Sequence, residues 1–134
     1  MDLDRLIENL ATELKLEAVP QKDNRGLYQV KIATSPTVSI KPLEPGLFMT
    51  AQIFPIPKEG NKEALYIYLM KANLLHQGTG HGAIGIDLSE KFFTLSYTLP
   101  FEVNYRTFHE VLEDFLNYID YWKEEIPKFN TTLL

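Results

Sequence analysis

Residues 62–100 read "KEALYIYLMKANLLHQGTGHGAIGIDLSEKFFTLSYTLP", and the parsing of this run decides the fold. Its first part, 62–75, places Leu65, Tyr68, Leu69 and Ala72 on one side of a helix and Ile67, Met70 and Leu74 on the other. A surface helix of a monomer shows a single apolar stripe. This helix is therefore expected to be covered twice, once by its own sheet and once by a second partner. Two strands follow, about 83–88 and 92–99, joined tightly at Ser89-Glu90. In the second, Phe93, Leu95, Tyr97 and Leu99 alternate with Phe92, Thr94, Ser96 and Thr98 until Pro100 stops the pairing.

Between helix and hairpin lie Gly78, Gly80, Gly82 and Gly85, with His76 and His81 among them. A phosphate-cradling loop needs strand, glycines, then helix, so that helix N-terminal amides face the anion. Here the glycines follow a helix C-terminus, whose carbonyls repel anions. Gly78 or Gly80 is instead expected to take the left-handed position that ends the helix. Gly82 and Gly85 are read as letting the next strand start close to another backbone.

Outward from this run the same periodicities continue. Residues 2–15 are an amphipathic helix through Leu3, Leu6, Ile7, Leu10 and Leu14, with Asp2 as N-cap. Strands are expected at 27–33, 37–41 and 47–54. In the last of these, Leu47, Met49, Ala51 and Ile53 share one face, while Phe48, Thr50, Gln52 and Phe54 share the other. Aromatics on a nominally wet face need a partner. A long helix over 105–126 carries Tyr105, Phe108, Leu112, Phe115, Ile119, Trp122 and Ile126 at 3-4 spacing, with Asn104 as its cap. Pro127 is expected to end it, leaving 128–134 as a frayed tail. The order is α-β-β-β-α-β-β-α, an α+β domain with a mostly antiparallel sheet covered by helices, over residues 1–134 as one domain.

Composition excludes several function classes. The chain has 134 residues, no cysteine and a formal net charge of −5, with 18 acidic against 13 basic residues and no basic run. Nucleic-acid binding, which needs clustered Lys and Arg, is not expected. No apolar run approaches the roughly 20 residues needed to span a bilayer, so no membrane insertion is expected. The start "MDLDRLIENL" is acidic and gives no sign of a secretory leader. Without cysteine there is neither a disulfide framework nor thiolate zinc, which suits a reducing cytosol.

Catalytic constellations are equally sparse. His76 and His81 are five apart across a loop and His109 lies on the last helix, which is not a metal-ligand spacing. Ser35, Ser39, Ser89 and Ser96 lack a nucleophile-elbow context. The pairs Glu113-Asp114 and Glu124-Glu125 read as the solvated face of a helix rather than an acid/base dyad.

The run from Leu69 to Pro100 resembles the signature stretch of the class I type III secretion chaperones, the CesT/SycE-type family. The matching positions are Asn73-Leu74-Leu75, the glycines from Gly78 to Gly82, Gly85-x-Asp87, and Leu99-Pro100. Size, acidity and element order agree over nearly the whole chain. The resemblance implies a cytoplasmic homodimer of a Gram-negative bacterium. Such a protein binds the N-terminal segment of secreted effectors in extended form for delivery to the secretion apparatus, with no ATP, metal or other cofactor. It implies a dimer face at Ile67, Met70 and Leu74, joined by Ile84 and Ile86. It further implies effector-binding patches drawn from Leu3, Leu6, Leu10, Leu27, Phe48, Phe54 and Phe92. Two other readings compete with it. One is a small-molecule-binding or enzymatic domain with a pocket near His76, His81 and Tyr97; the other is an adaptor for a folded partner.

Overall fold

The computed structural model describes residues 2–60, 62–74, 79 and 82–133, with side chains described as far as Phe129. Among the described residues eight elements follow the expected order: α1 Leu3–Glu13, β1 Tyr28–Val30, β2 Val38–Pro42, β3 Leu47–Pro55, α2 Lys62–Asn73, β4 Gly82–Ile86, β5 Phe92–Leu99 and α3 Tyr105–Leu133. The five strands form one sheet in the order β1-β2-β3-β5-β4, antiparallel throughout. The chain leaves the middle of the sheet at the end of β3, runs through α2, and enters β4 at the far edge. It then turns back so that β5 fills the gap beside β3.

The helices cover one face of this sheet. Val30, Ile40, Met49, Leu95 and Tyr97 point into that face and are buried, as are Leu6, Ile7 and Leu10 of α1. On α3, Phe108, Leu112, Phe115, Ile119, Trp122 and Ile126 form an unbroken buried stripe. Phe115 meets Tyr97 edge-on at 4.9 Å between centroids. α2 docks beside β4, where Leu65 and Leu69 are buried and Tyr66 sets its edge against Phe93 at 5.9 Å.

The boundaries differ from the sequence reading for local reasons. α1 begins as expected, with the Asp2 carboxylate accepting the Arg5 N–H at 3.0 Å. It stops at Glu13 because Lys15 turns left-handed (φ 53°) and the Leu16 N–H returns to the Ala11 carbonyl at 3.0 Å. β1 is three residues long rather than seven. Past it, Ala33 has positive φ and the Ser35 N–H closes a turn onto the Ile32 carbonyl. In β3 the register shifts between Gln52 and Phe54, so Phe54 stands opposite Phe93 and packs partly against the core.

Pro127 does not end the last helix, and the expectation of a frayed 128–134 gives way to helix as far as Leu133. A proline inside a helix forfeits one N–H bond and crowds the preceding turn. Packing on both sides of it favours continuation here: Ile126 is fully buried, and Phe129 stacks on Tyr68 at 4.5 Å with the rings 2° from parallel.

Candidate binding surfaces

Two surfaces combine exposure with apolar chemistry. The first lies on α2 and β4. Ile67, Met70 and Leu74 are 47%, 71% and 61% exposed on the side of α2 turned from the core, and Ile86 at the end of β4 is 48% exposed. Leu88, at the tip of the β4–β5 turn, is wholly exposed. A groove of about 320 Å3 runs between helix and strand, lined chiefly by Tyr66, Leu69, Met70, Ile84 and Ile86. Ile84 is only 9% exposed and joins the core at the groove floor, so of the five residues expected at a dimer face it is the one turned inward.

The motif residues between α2 and β4 have structural tasks. The Asn73 side chain donates to the Ile84 carbonyl at 3.0 Å and accepts the Ile84 N–H at 2.7 Å. The fully buried Thr79 donates its hydroxyl to the Gly82 carbonyl at 2.7 Å. Its carbonyl accepts the Gly82 N–H at 3.1 Å and the Tyr97 hydroxyl at 3.0 Å. A Cβ on Gly82 would fall 2.3 Å from the Tyr97 ring, so glycine is required there by close approach. Gly85 has room: its Cβ would meet nothing nearer than the Thr94 hydroxyl at 3.5 Å, an ordinary contact. The close-approach reading thus holds for Gly82 and not for Gly85. Gly78 and Gly80, expected to end α2, lie outside the described residues.

The second surface is the face of the sheet that no helix covers. It carries a groove of about 970 Å3 whose lining includes Leu27, Phe48, Phe54 and Phe92, all half-buried. Uncharged polar side chains lie among them. Thr50 and Ser96 hydrogen-bond across β3 and β5 at 2.8 Å, the Ser39 hydroxyl bonds Gln29 at 2.7 Å, and Thr94 lies beside them. Arg25, Asp87 and Lys123 stand in the lining.

Two aspartates organise the loops at the margins of this groove. Asp23 accepts the Leu27 and Arg25 amides at 3.0 and 2.9 Å, and the Leu27 amide bond is the main reason its carboxyl is held below the usual range. Burial pushes the Asp87 carboxyl up, but bonds from the Phe92 and Lys91 amides and the Ser89 hydroxyl together hold it low.

Leu3, Leu6 and Leu10, also expected at an effector patch, are 7%, 2% and 1% exposed and belong to the core beneath α1. Leu3 and Leu6 touch the outside only as walls of a cleft of about 420 Å3 beside the β2–β3 turn. Helical periodicity could not separate a stripe facing the chain's own core from one facing a client.

Among the described residues no reactive constellation accompanies these surfaces. Tyr97 is buried with its hydroxyl bonded to Thr79, and His76 and His81, expected with it around a pocket, lie outside the described residues. Among the described residues no group of three metal-ligating side chains converges, and no helix is long and apolar enough to cross a membrane. His109 lies on the seam between α1 and α3, 3.7 Å from Glu13 and 3.9 Å from Glu113. Beside it Tyr105 donates its hydroxyl to Glu13; burial, then that carboxylate, pushes the phenol up to about 12. Glu13 therefore clasps the end of α1 to the start of α3.

The sequence profile of the Tir chaperone protein (CesT) family matches residues 5–123, most of the chain. The chain belongs to this family. Its relatives are similar along nearly their whole length. The Chlamydia pneumoniae protein CPj0713/CpB0740 is 25% identical over 127 residues, covering 92% of this chain and 95% of that one. A chain of the ExsC–ExsE complex superposes with a TM-score of 0.76 at 20% identity, covering 94% of this chain and 97% of that chain. The type III secretion chaperone SycH of Yersinia pestis, solved with a stable fragment of YscM2, gives 0.62 at 21% identity, with 87% and 96% covered. At such identities the superpositions establish the type III secretion chaperone fold. The motif from Asn73 to Asp87 was legible as a family mark, but the role of its Asn and Thr was not. An Asn ending a helix eleven residues before a strand isoleucine carries no periodicity to read.

Proposed function

We propose that this chain is a cytoplasmic type III secretion chaperone that acts as a homodimer and holds the N-terminal segment of a secreted effector in extended form. It does so by binding alone, without ATP, cofactor or catalysis. The observation that carries the reading is the uncovered sheet face, where aromatic and aliphatic side chains line a groove with the uncharged Gln29, Ser39, Thr50 and Thr94 among them. An extended segment can seat apolar side chains against Leu27, Phe48 and Phe92 while its polar groups meet Thr50 and Thr94. Ordering a disordered client opposes binding, so a large contact surface has to offset that cost. Two chains joined through Ile67, Met70, Leu74 and Ile86 would supply it, and the exposure of those side chains supports that face.

The test is co-expression with the first hundred or so residues of candidate secreted proteins, followed by light scattering after gel filtration. A complex of two chains with one client segment is expected, and Phe48→Ala with Phe92→Ala should weaken it at least ~10-fold while the two chains stay together. A protein that is monomeric alone and with every client would overturn the reading.

A further inference from the structure

β4 is the kind of edge strand that invites unwanted pairing. Its sequence, Gly82-Ala83-Ile84-Gly85-Ile86, has no charge and no proline, the usual protections of an exposed edge. It carries exposed Ile86 and is flanked by exposed Met70 and Leu88, which would add apolar contact to any strand that joined it. In an antiparallel ladder alternate residues turn their N–H and C=O to the neighbour. Ala83 and Gly85 face β5, which leaves the backbone groups of Gly82, Ile84 and Ile86 turned outward.

Four of those six outward groups already have partners. Asn73 takes both groups of Ile84 through one side-chain amide, and Thr79 takes both groups of Gly82 through its carbonyl and hydroxyl. A carboxamide offers one donor and one acceptor in a plane, as a peptide group does, so Asn73 stands where the next strand's peptide would be. Thr79 does the same one repeat earlier, with the Tyr97 hydroxyl also bonded to its carbonyl. An incoming strand would have to break these bonds and would find only Ile86 unclaimed.

We propose that Asn73 and Thr79 close the β4 edge against strand addition, so that whatever covers the apolar α2–β4 face must bind it through side chains. The device limits association there to a packed, closed contact and prevents open-ended edge-to-edge growth. It holds whether the occupant is a second copy or another protein, and so does not depend on the effector-binding reading.

The first test uses the unaltered chain and NMR-detected amide exchange. The Ile84 amide is expected to be protected to within ~10-fold of the Gly85 amide, which bonds β5. Exchange at Ile84 ~100-fold or more faster than at Gly85 would show that Asn73 does not hold it and would overturn the proposal. The second test combines Asn73→Leu with Thr79→Val, which keep shape and remove the three side-chain hydrogen bonds, leaving only the Gly82 N–H on the Thr79 backbone carbonyl. Light scattering across a concentration series is expected to show species larger than those of the unaltered chain, with the Ile84 and Ile86 amides protected in them. A folded variant of unchanged mass whose Ile84 amide exchanges freely would overturn the proposal. Should the double variant fail to fold, Asn73→Leu alone removes both bonds to Ile84. The same two readouts then decide.

Discussion

The two long helices after the N-terminal one are both rich in apolar residues, yet they treat them oppositely. α3 turns a single stripe, from Phe108 to Ile126, entirely into the core. α2 buries Leu65 and Leu69 and leaves Ile67, Met70 and Leu74 in the open on its other side. Burial of a large apolar side chain contributes roughly 1.5–3 kcal/mol to folding. α3 thus spends its hydrophobic surface on the stability of one chain, whereas α2 keeps half of its own available for association. An apolar side chain is informative only together with what lies over it.

The contrast can be broken first at α3. Phe115→Ala removes a fully buried ring packed against Tyr97 and is expected to destabilise the chain by about 3–5 kcal/mol in urea unfolding. A loss below about 1 kcal/mol would mean that the stripe is not the centre of the core. Gly82→Ala comes next, with an expected loss of about 1–3 kcal/mol. The new methyl would meet a Tyr97 ring that its hydroxyl bond and Phe115 hold in place. A thermal melt unchanged from the parent would refute the close approach.

At α2 the expected effect on folding is small and the effect on association large. Met70→Asp should shift the stability of a single chain by no more than about 0.5 kcal/mol, because the residue is mostly exposed. If two chains join as proposed, it should also reduce the scattered mass from about 31 kDa to the 15.4 kDa of one chain. A variant that keeps the larger mass would move the association face elsewhere.

The smallest effect concerns acid. Asp23 and Asp87 have folded-state values below their ordinary 3.8, so each contributes stability above that value. The contribution is lost as pH falls through the lower folded value. The melting temperature should therefore fall as pH is lowered below about 4, and the fall should be shallower in a chain carrying Asp23→Asn and Asp87→Asn. Equal slopes would show that these turns do not prefer the charged form.

Most of the architecture could be read beforehand because alternation and 3-4 spacing report the faces of strands and helices directly. β5 and the body of α3 lie where their patterns put them, and the double-sided α2 was visible as two stripes. The boundaries were missed where a long-range contact overrides a local rule or a local turn interrupts the pattern. Pro127 sits inside a helix that Phe129 anchors on Tyr68, and β1 is cut short by a turn that strand periodicity does not reveal. Among the residues proposed for effector binding, Phe48 and Phe92 sit on the open face as alternation implied, while a bulge turned Phe54 partly towards the core.

By itself the sequence determined the element order, the α+β class and the family, since each follows from residue spacing and a local motif. Only the tertiary structure decided which apolar stripes are covered, placing Leu3, Leu6 and Leu10 under α1 and leaving Ile67, Met70 and Leu74 open. It also gave Asn73 and Thr79 their task at the edge of β4. The physical reason is that periodicity fixes the direction a side chain takes from its own element, whereas burial and hydrogen-bond partners depend on which distant segment arrives opposite it.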